Sequence, residues 1–105
     1  MHGRNPRIAV AIYDEFSQLK DFSFKDQIRR GVVSISNNVA EGFDRSSKAD
    51  FTRFLYIALA SCSEVKSMLY LAERLNYISS ETRIDFIERA AEILRILTDL
   101  IRSLK

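Results

Sequence analysis

The residue types that could do chemistry are concentrated between Gln27 and Arg45, in the run QIRRGVVSISNNVAEGFDR. Gln27, Arg30, Ser34, Asn38, Glu41 and Arg45 recur at three-and-four spacing, which on a helix makes one continuous face. An ordinary solvated face is rich in Lys and Glu. This one mixes amide, hydroxyl, guanidinium and carboxylate groups, the set used for specific hydrogen bonding. Two chemistries are conceivable. Glu41 and Asp44 are a carboxylate pair of the kind used in acid–base work, but no histidine, glycine-rich loop, metal cluster or activated nucleophile accompanies them. The other is phosphate recognition by Arg29, Arg30 and Arg45 with Lys48 and Arg53 just downstream, a salt-dependent and sequence-independent attraction.

The remaining inventory narrows the choice. The one histidine is His2, close to the N-terminus, and the one cysteine is Cys62. Neither a zinc site nor a His-assisted nucleophile can be assembled from that set. We therefore expect no catalytic residue, no metal, no cofactor and no enzyme activity. The formal charge is +2, and its excess lies in the first sixty residues, around Arg4, Arg7 and the basic residues already named. A single cysteine permits no internal disulfide. No stretch reads as a secretory leader or as the ~18 apolar residues of a membrane span, so a cytoplasmic location and no membrane partner are expected.

These residues must be positioned by helices. Three Gly and one Pro leave little turn chemistry, and 105 residues suit a single domain spanning 1–105. Asn5-Pro6 is a helix start, and helix one runs from Arg7 to about Lys20, burying Ile8, Ile12 and Phe16 or Leu19. Asp21 to Phe24 reads as a connection. Helix two carries Ile28, Val32, Ile35, Val39 and Phe43 as its apolar stripe, centred roughly 130° from the polar one. Ser47 to Asp50 resembles a capping box opening helix three. There Phe51, Leu55, Ala58, Cys62, Val65, Leu69 and Ala72 follow an a/d seam, and Cys62 reads as a small core residue. Phe54, Ser61, Met68 and Leu75 widen the seam, with Ile57 and Leu71 beyond them. Asn76 to Ser80 breaks the pattern, with Ser79 or Ser80 capping a fourth helix built on Phe86, Ala90, Ile93, Leu97, Leu100 and Leu104. The fold expected is all-α, an antiparallel up-down-up-down four-helix bundle. The apolar arcs of helices three and four exceed a ~100° core stripe, which favours self-association over a thick single core.

Several separated motifs resemble one bacterial family, the four-helix bundle proteins encoded in intervening sequences of 23S ribosomal RNA genes. They are Gln27-Ile28-Arg29-Arg30, Ser34-Ile35, Asn38-Val39-Ala40-Glu41-Gly42 with Arg45, then Phe54-Leu55-Tyr56-Ile57-Ala58, Ser61 to Glu64, and Asn76-Tyr77-Ile78. Gly31 stands where the family usually has Ala, and Ala60 where it has Gly. The resemblance implies a homopentamer, and similarity to accessory proteins of diversity-generating retroelements that bind a reverse transcriptase and nucleic acid. A five-fold ring of +2 protomers carries about +10, which strengthens phosphate attraction. On this reading Arg29, Arg30, Arg45, Lys48 and Arg53 contact RNA or DNA, while Gln27, Ser34, Asn38, Glu41 and Gly42 serve assembly. No exposed aromatic is expected among the basic residues, hence no base stacking. The alternative is a pure scaffold for another protein, without nucleic-acid binding.

Overall fold

The computed structural model describes residues 7–105, so the Asn5-Pro6 helix start and His2 lie outside the described residues. Four helices follow: α1 (Ile8–Glu15), α2 (Phe22–Phe43), α3 (Lys48–Arg74) and α4 (Ser80–Ser103). α2 packs on α1 and α3, and α4 on α3 and α1, closing the antiparallel bundle.

Two boundaries differ from the sequence reading. α1 stops at Glu15, because Phe16 leaves helical dihedrals and turns its ring into the core, 5.8 Å from that of Phe24. α2 begins five residues earlier than Gln27. The Asp21 carboxylate accepts the Phe24 N–H at 3.1 Å, a side-chain N-cap that converts the expected connection into the first turn of the helix.

The other ends follow their local chemistry. Ser47 accepts the Asp50 N–H at 3.1 Å and Ser79 accepts the Thr82 N–H at 3.0 Å. α3 stops in a Schellman turn: Asn76 adopts φ 63°, Tyr77 N–H reaches the Ala72 carbonyl at 2.8 Å and Asn76 N–H the Glu73 carbonyl at 2.9 Å. Asn is one of the few side chains that tolerates this left-handed position.

The a/d seam of α3 forms the spine. Leu55, Ala58, Cys62, Val65, Leu69 and Ala72 are all buried. Cys62 donates its S–H to the Ala90 carbonyl at 3.3 Å, and burial pushes its thiol up, so it behaves as an inert core residue. By length and composition α3 could cross a membrane, its best 18-residue window reaching a mean hydropathy of 1.2. Of that window 33% is buried within the bundle.

The core is unequal along its length. Around Ile12, Phe16, Phe24 and Ile28 all four helices contribute. Around Leu55, Ala58, Leu97 and Ile101 the packing residues come from α2, α3 and α4 alone, and Val39, Leu100 and Leu104 stay half-buried. Among the described residues the bundle is four helices thick at one end and three at the other.

One tie couples the connections at the thick end. Tyr77 Oη donates to Asp21 Oδ2 at 2.6 Å. That bond, then the Phe24 N–H, holds the Asp21 carboxyl below the usual range, and the shared interaction pushes the Tyr77 phenol up. Glu73 is likewise held down, first by Arg83 and then by Ser80. A carboxyl lowered on folding contributes stability above its unfolded pKa and loses it as pH falls through the folded value. The urea midpoint should therefore decline on acidification below about pH 4. Tyr77→Phe should flatten that acid limb, because it removes the largest cause of the Asp21 shift. Parallel acid limbs for the two proteins would refute this.

Candidate functional site

The polar stripe of α2 lies along its contact with α3. Ser34 Oγ and Ser61 Oγ are 2.8 Å apart, a hydrogen bond between the two helices. Asn38 Nδ2 donates to the Ser34 carbonyl at 2.8 Å and to Ser34 Oγ at 3.0 Å, so it orients that serine. Gly31 and Gly42 allow the close approach: a Cβ would sit 2.8 Å from Val65 Cγ2 at the first and 2.9 Å from Phe51 Cδ1 at the second. Glu41 differs from its neighbours in the stripe. It is exposed and pairs with Arg45 at 2.7 Å. Gln27 and Arg30 line a shallow hollow of about 250 Å³ with Ser34, Ser61, Glu64 and Met68.

Beside this hollow α3 shows a second four-and-three series, Ile57, Ser61, Glu64, Met68, Leu71 and Leu75, in which Ile57, Leu71 and Leu75 are exposed. The wide apolar arc read from the sequence therefore does leave apolar side chains on the surface, next to the polar stripe.

The five basic candidates fall into three places. Arg29 is half-buried and anchors α1: Nη2 donates to the Tyr13 carbonyl at 2.7 Å, and the guanidinium lies 4.4 Å from the Tyr13 ring centroid. The Tyr13 carbonyl belongs to the last turn of α1, where a cation also favours the helix dipole. Nε of Arg29 is buried without a partner, which offsets part of the gain. Arg29→Ala should destabilise the protein by about 1–2 kcal/mol. Arg29→Lys should not restore it, because a point charge does not reproduce the stacked, planar contact. Urea midpoints of the three proteins check this.

Arg30 stands alone, exposed midway along α2. Arg45, Lys48 and Arg53 gather at the α2–α3 turn. The guanidinium carbons of Arg45 and Arg53 lie 4.8 and 4.5 Å from the Phe54 ring centroid, so one aromatic ring holds two cations. Arg53 also lies 3.7 Å from Asp50, a loose and exposed pair.

Phe43 was the residue the sequence misplaced. Its spacing puts it on the core stripe, yet it is 63% exposed, its ring 4.9 Å from Phe51. It lies in the last turn of α2 at the three-helix end, where Gly42 is buried against Phe51 and Phe54 but the Phe43 ring itself stays exposed. An exposed aromatic thus stands beside the basic turn, contrary to the expectation of none. Among the described residues, no group of three or more His, Cys, Asp or Glu side chains could hold a metal ion.

Residues 6–99 match the family model described as 23S rRNA-intervening sequence protein. The chain belongs to that family. The match runs into α4, beyond the motifs legible between Ile12 and Ile78. The intervening-sequence bundle also resembles a solved protein of unknown function, from the S23 ribosomal protein family of Bacteroides thetaiotaomicron. The two share 33% identity over 90% of this chain and 91% of that one, with a TM-score of 0.84. No curated protein matches the chain.

Proposed function

We propose that this intervening-sequence protein is a non-enzymatic homo-oligomer, a pentamer, that binds nucleic acid or a nucleoprotein such as a reverse transcriptase complex in the cytoplasm. The observation that carries the reading is the α2–α3 turn, where Arg45 and Arg53 share the Phe54 ring, Lys48 adds a third cation, and Phe43 offers an exposed ring. Cations attract the phosphate backbone, and an aromatic face stacks on a base of any identity. Arg30 supplies a further cation along α2, whereas Arg29 is committed to α1. The exposed Ile57, Leu71 and Leu75, adjoining the polar stripe, supply an apolar surface for self-association.

Fluorescence anisotropy with a labelled single-stranded RNA tests the reading. Binding should weaken steeply with salt, and Arg45→Ala with Arg53→Ala should reduce the salt slope by about one per lost phosphate contact. Phe43→Ala should weaken binding with little change in slope. Absence of binding at low salt would overturn the nucleic-acid reading. Light scattering tests the assembly: the mass should approach five protomers of 12.1 kDa. A stable ring that ignores RNA would leave the scaffold alternative.

A further inference from the structure

α1 joins two helices that do not otherwise meet. Among the described residues α2 and α4 do not bring their Cα atoms within 8 Å of each other, and α1 packs on both. It seats Ile12 and, just past its end, Phe16 in a core that Ile28 and Val32 of α2 and Phe86 of α4 help to complete. α1 does not approach α3 to the same 8 Å. The α2–α3 and α3–α4 packing, with the Ser34–Ser61 bond and the Cys62 bond to the Ala90 carbonyl, is therefore made without it. α1 is a cover on the α2–α4 cleft, laid over a body that has its own contacts.

The cover has little of its own to keep it helical. Eight residues fall well short of the ~12–15 at which an isolated helix becomes marginal in water. Its N-cap, Arg7, makes no side-chain capping bond, and neither an acidic first turn nor a basic last turn complements its dipole. The three longer helices each have a side-chain cap. Within α1 only Ile12 is buried, and Val10 is 52% exposed. Undocked, α1 unfolds.

Its fastening is concentrated at one side chain, and the point about which it can move is defined. The Arg29 guanidinium supplies the cation that the last turn of α1 lacks, through the Tyr13 carbonyl and ring. Lys25 Nζ reaches the Ser17 carbonyl only at 3.4 Å. Arg29 is an imperfect fastener, because its Nε is buried without a partner and regains water when α1 lifts. Asp21, in contrast, is fixed by the Phe24 N–H and the Tyr77 hydroxyl, which tie the start of α2 to the α3–α4 connection. Between the two fixed points Ser17 to Lys20 form neither helix nor strand.

We propose that α1 is a lid, hinged at Ser17 to Lys20 and latched by Arg29, which opens as one unit off an α2–α3–α4 body that stays folded. Opening unfolds the short helix, frees the Arg29 guanidinium and uncovers Ile28, Val32 and Phe86. Access to the α2–α4 cleft is then set by the docking of eight residues rather than by unfolding of the bundle. The lid is independent of nucleic-acid binding.

Amide hydrogen exchange of the full chain in urea below its unfolding transition tests the proposal. The hydrogen-bonded amides from Ala11 to Phe16 should share one protection factor, at least tenfold below that of Val65. Their exchange should also depend less on urea, because lifting α1 exposes less surface than global unfolding. Arg29→Ala should lower the shared protection about fivefold to thirtyfold. Leu55→Ala separates the lid from the whole. Leu55 is buried between α3 and α4, in a cluster to which α1 contributes nothing, so its loss weakens the closed and the open forms alike. Exchange at Val65 should then rise tenfold or more, while α1 keeps its parental rates. Equal acceleration of α1 and Val65 by Leu55→Ala would overturn the proposal, as would a urea dependence in α1 equal to that of Val65. So would protection that climbs steadily from Ala11 to Phe16, the mark of fraying from one end, or α1 rates indifferent to Arg29→Ala.

Discussion

Replacing Phe16 by Ala should destabilise the protein by about 3–5 kcal/mol and lower its melting temperature by roughly 15 °C or more. The ring is 1% exposed, packs at 5.8 Å on Phe24, and Phe24 in turn meets Tyr77 edge-on at 5.3 Å. Removing it leaves a cavity between α1, α2 and the α3–α4 connection. α1 has only eight residues, too few to be helical alone, so its structure depends on Ile12 and Phe16 being seated. The loss should therefore be local before it is global. Amide exchange in α1 should accelerate far more than exchange in the middle of α3, where Leu69 and Val65 are untouched. Uniform acceleration across all four helices, or a melting temperature within a few degrees of the parent, would contradict this account.

The second large effect is expected at Gly31. Gly31→Leu should destabilise by about 2–3 kcal/mol, although leucine is the better helix former by about 1 kcal/mol. The new Cβ alone meets Val65 Cγ2 at 2.8 Å, and Val65 is buried and stiff about its first torsion. Nothing flexible is available to yield, so α2 and α3 must separate, and the Ser34–Ser61 bond about one turn away must lengthen. Gly42→Ala is the useful contrast. Its neighbours are the ring edge of Phe51 at 2.9 Å and the Phe54 Cβ at 3.3 Å, and the Phe51 ring can swing toward the half-open end of the bundle. Its change should stay within about 1 kcal/mol. Urea midpoints of the three proteins decide the matter; a Gly31→Leu protein as stable as the parent would show that the helix–helix distance is not set at this point.

Much of the architecture was legible from spacing. The α3 seam from Leu55 to Ala72 is buried residue for residue because a seven-residue apolar repeat on a helix can only be satisfied by neighbours on both flanks. Ser47, Ser79 and Asn76 announced their helix ends because capping depends on a side chain and the backbone within three or four residues of it. Asp21 shows the limit of the same logic. An Asp before Phe-Ser-Phe reads as a turn, and only the Phe24 N–H and the Tyr77 hydroxyl converging on its carboxylate make it a cap.

The candidate site was legible as a set of residues and illegible as an arrangement. The run from Gln27 to Arg45 held Arg29, Arg30 and Arg45 together, with Arg30 and Arg45 on its periodic polar face. Tertiary contacts then sent Arg29 to the end of α1, left Arg30 apart and gathered Arg45 and Arg53 around Phe54. Phe43 fell on the apolar stripe by spacing, but a stripe says which face is apolar, not whether another helix covers it.

By itself, the sequence determined that there are four helices, the caps at Ser47 and Ser79, the α3 spine and the family, because each depends on residues close in the chain or on a repeat along it. The tertiary structure alone decided which polar residues meet across α2 and α3, which cation is committed to α1 and which stay exposed, and that α1 is too short to cover the far half of the bundle. Those depend on distances between residues far apart in the chain, and no local pattern encodes them.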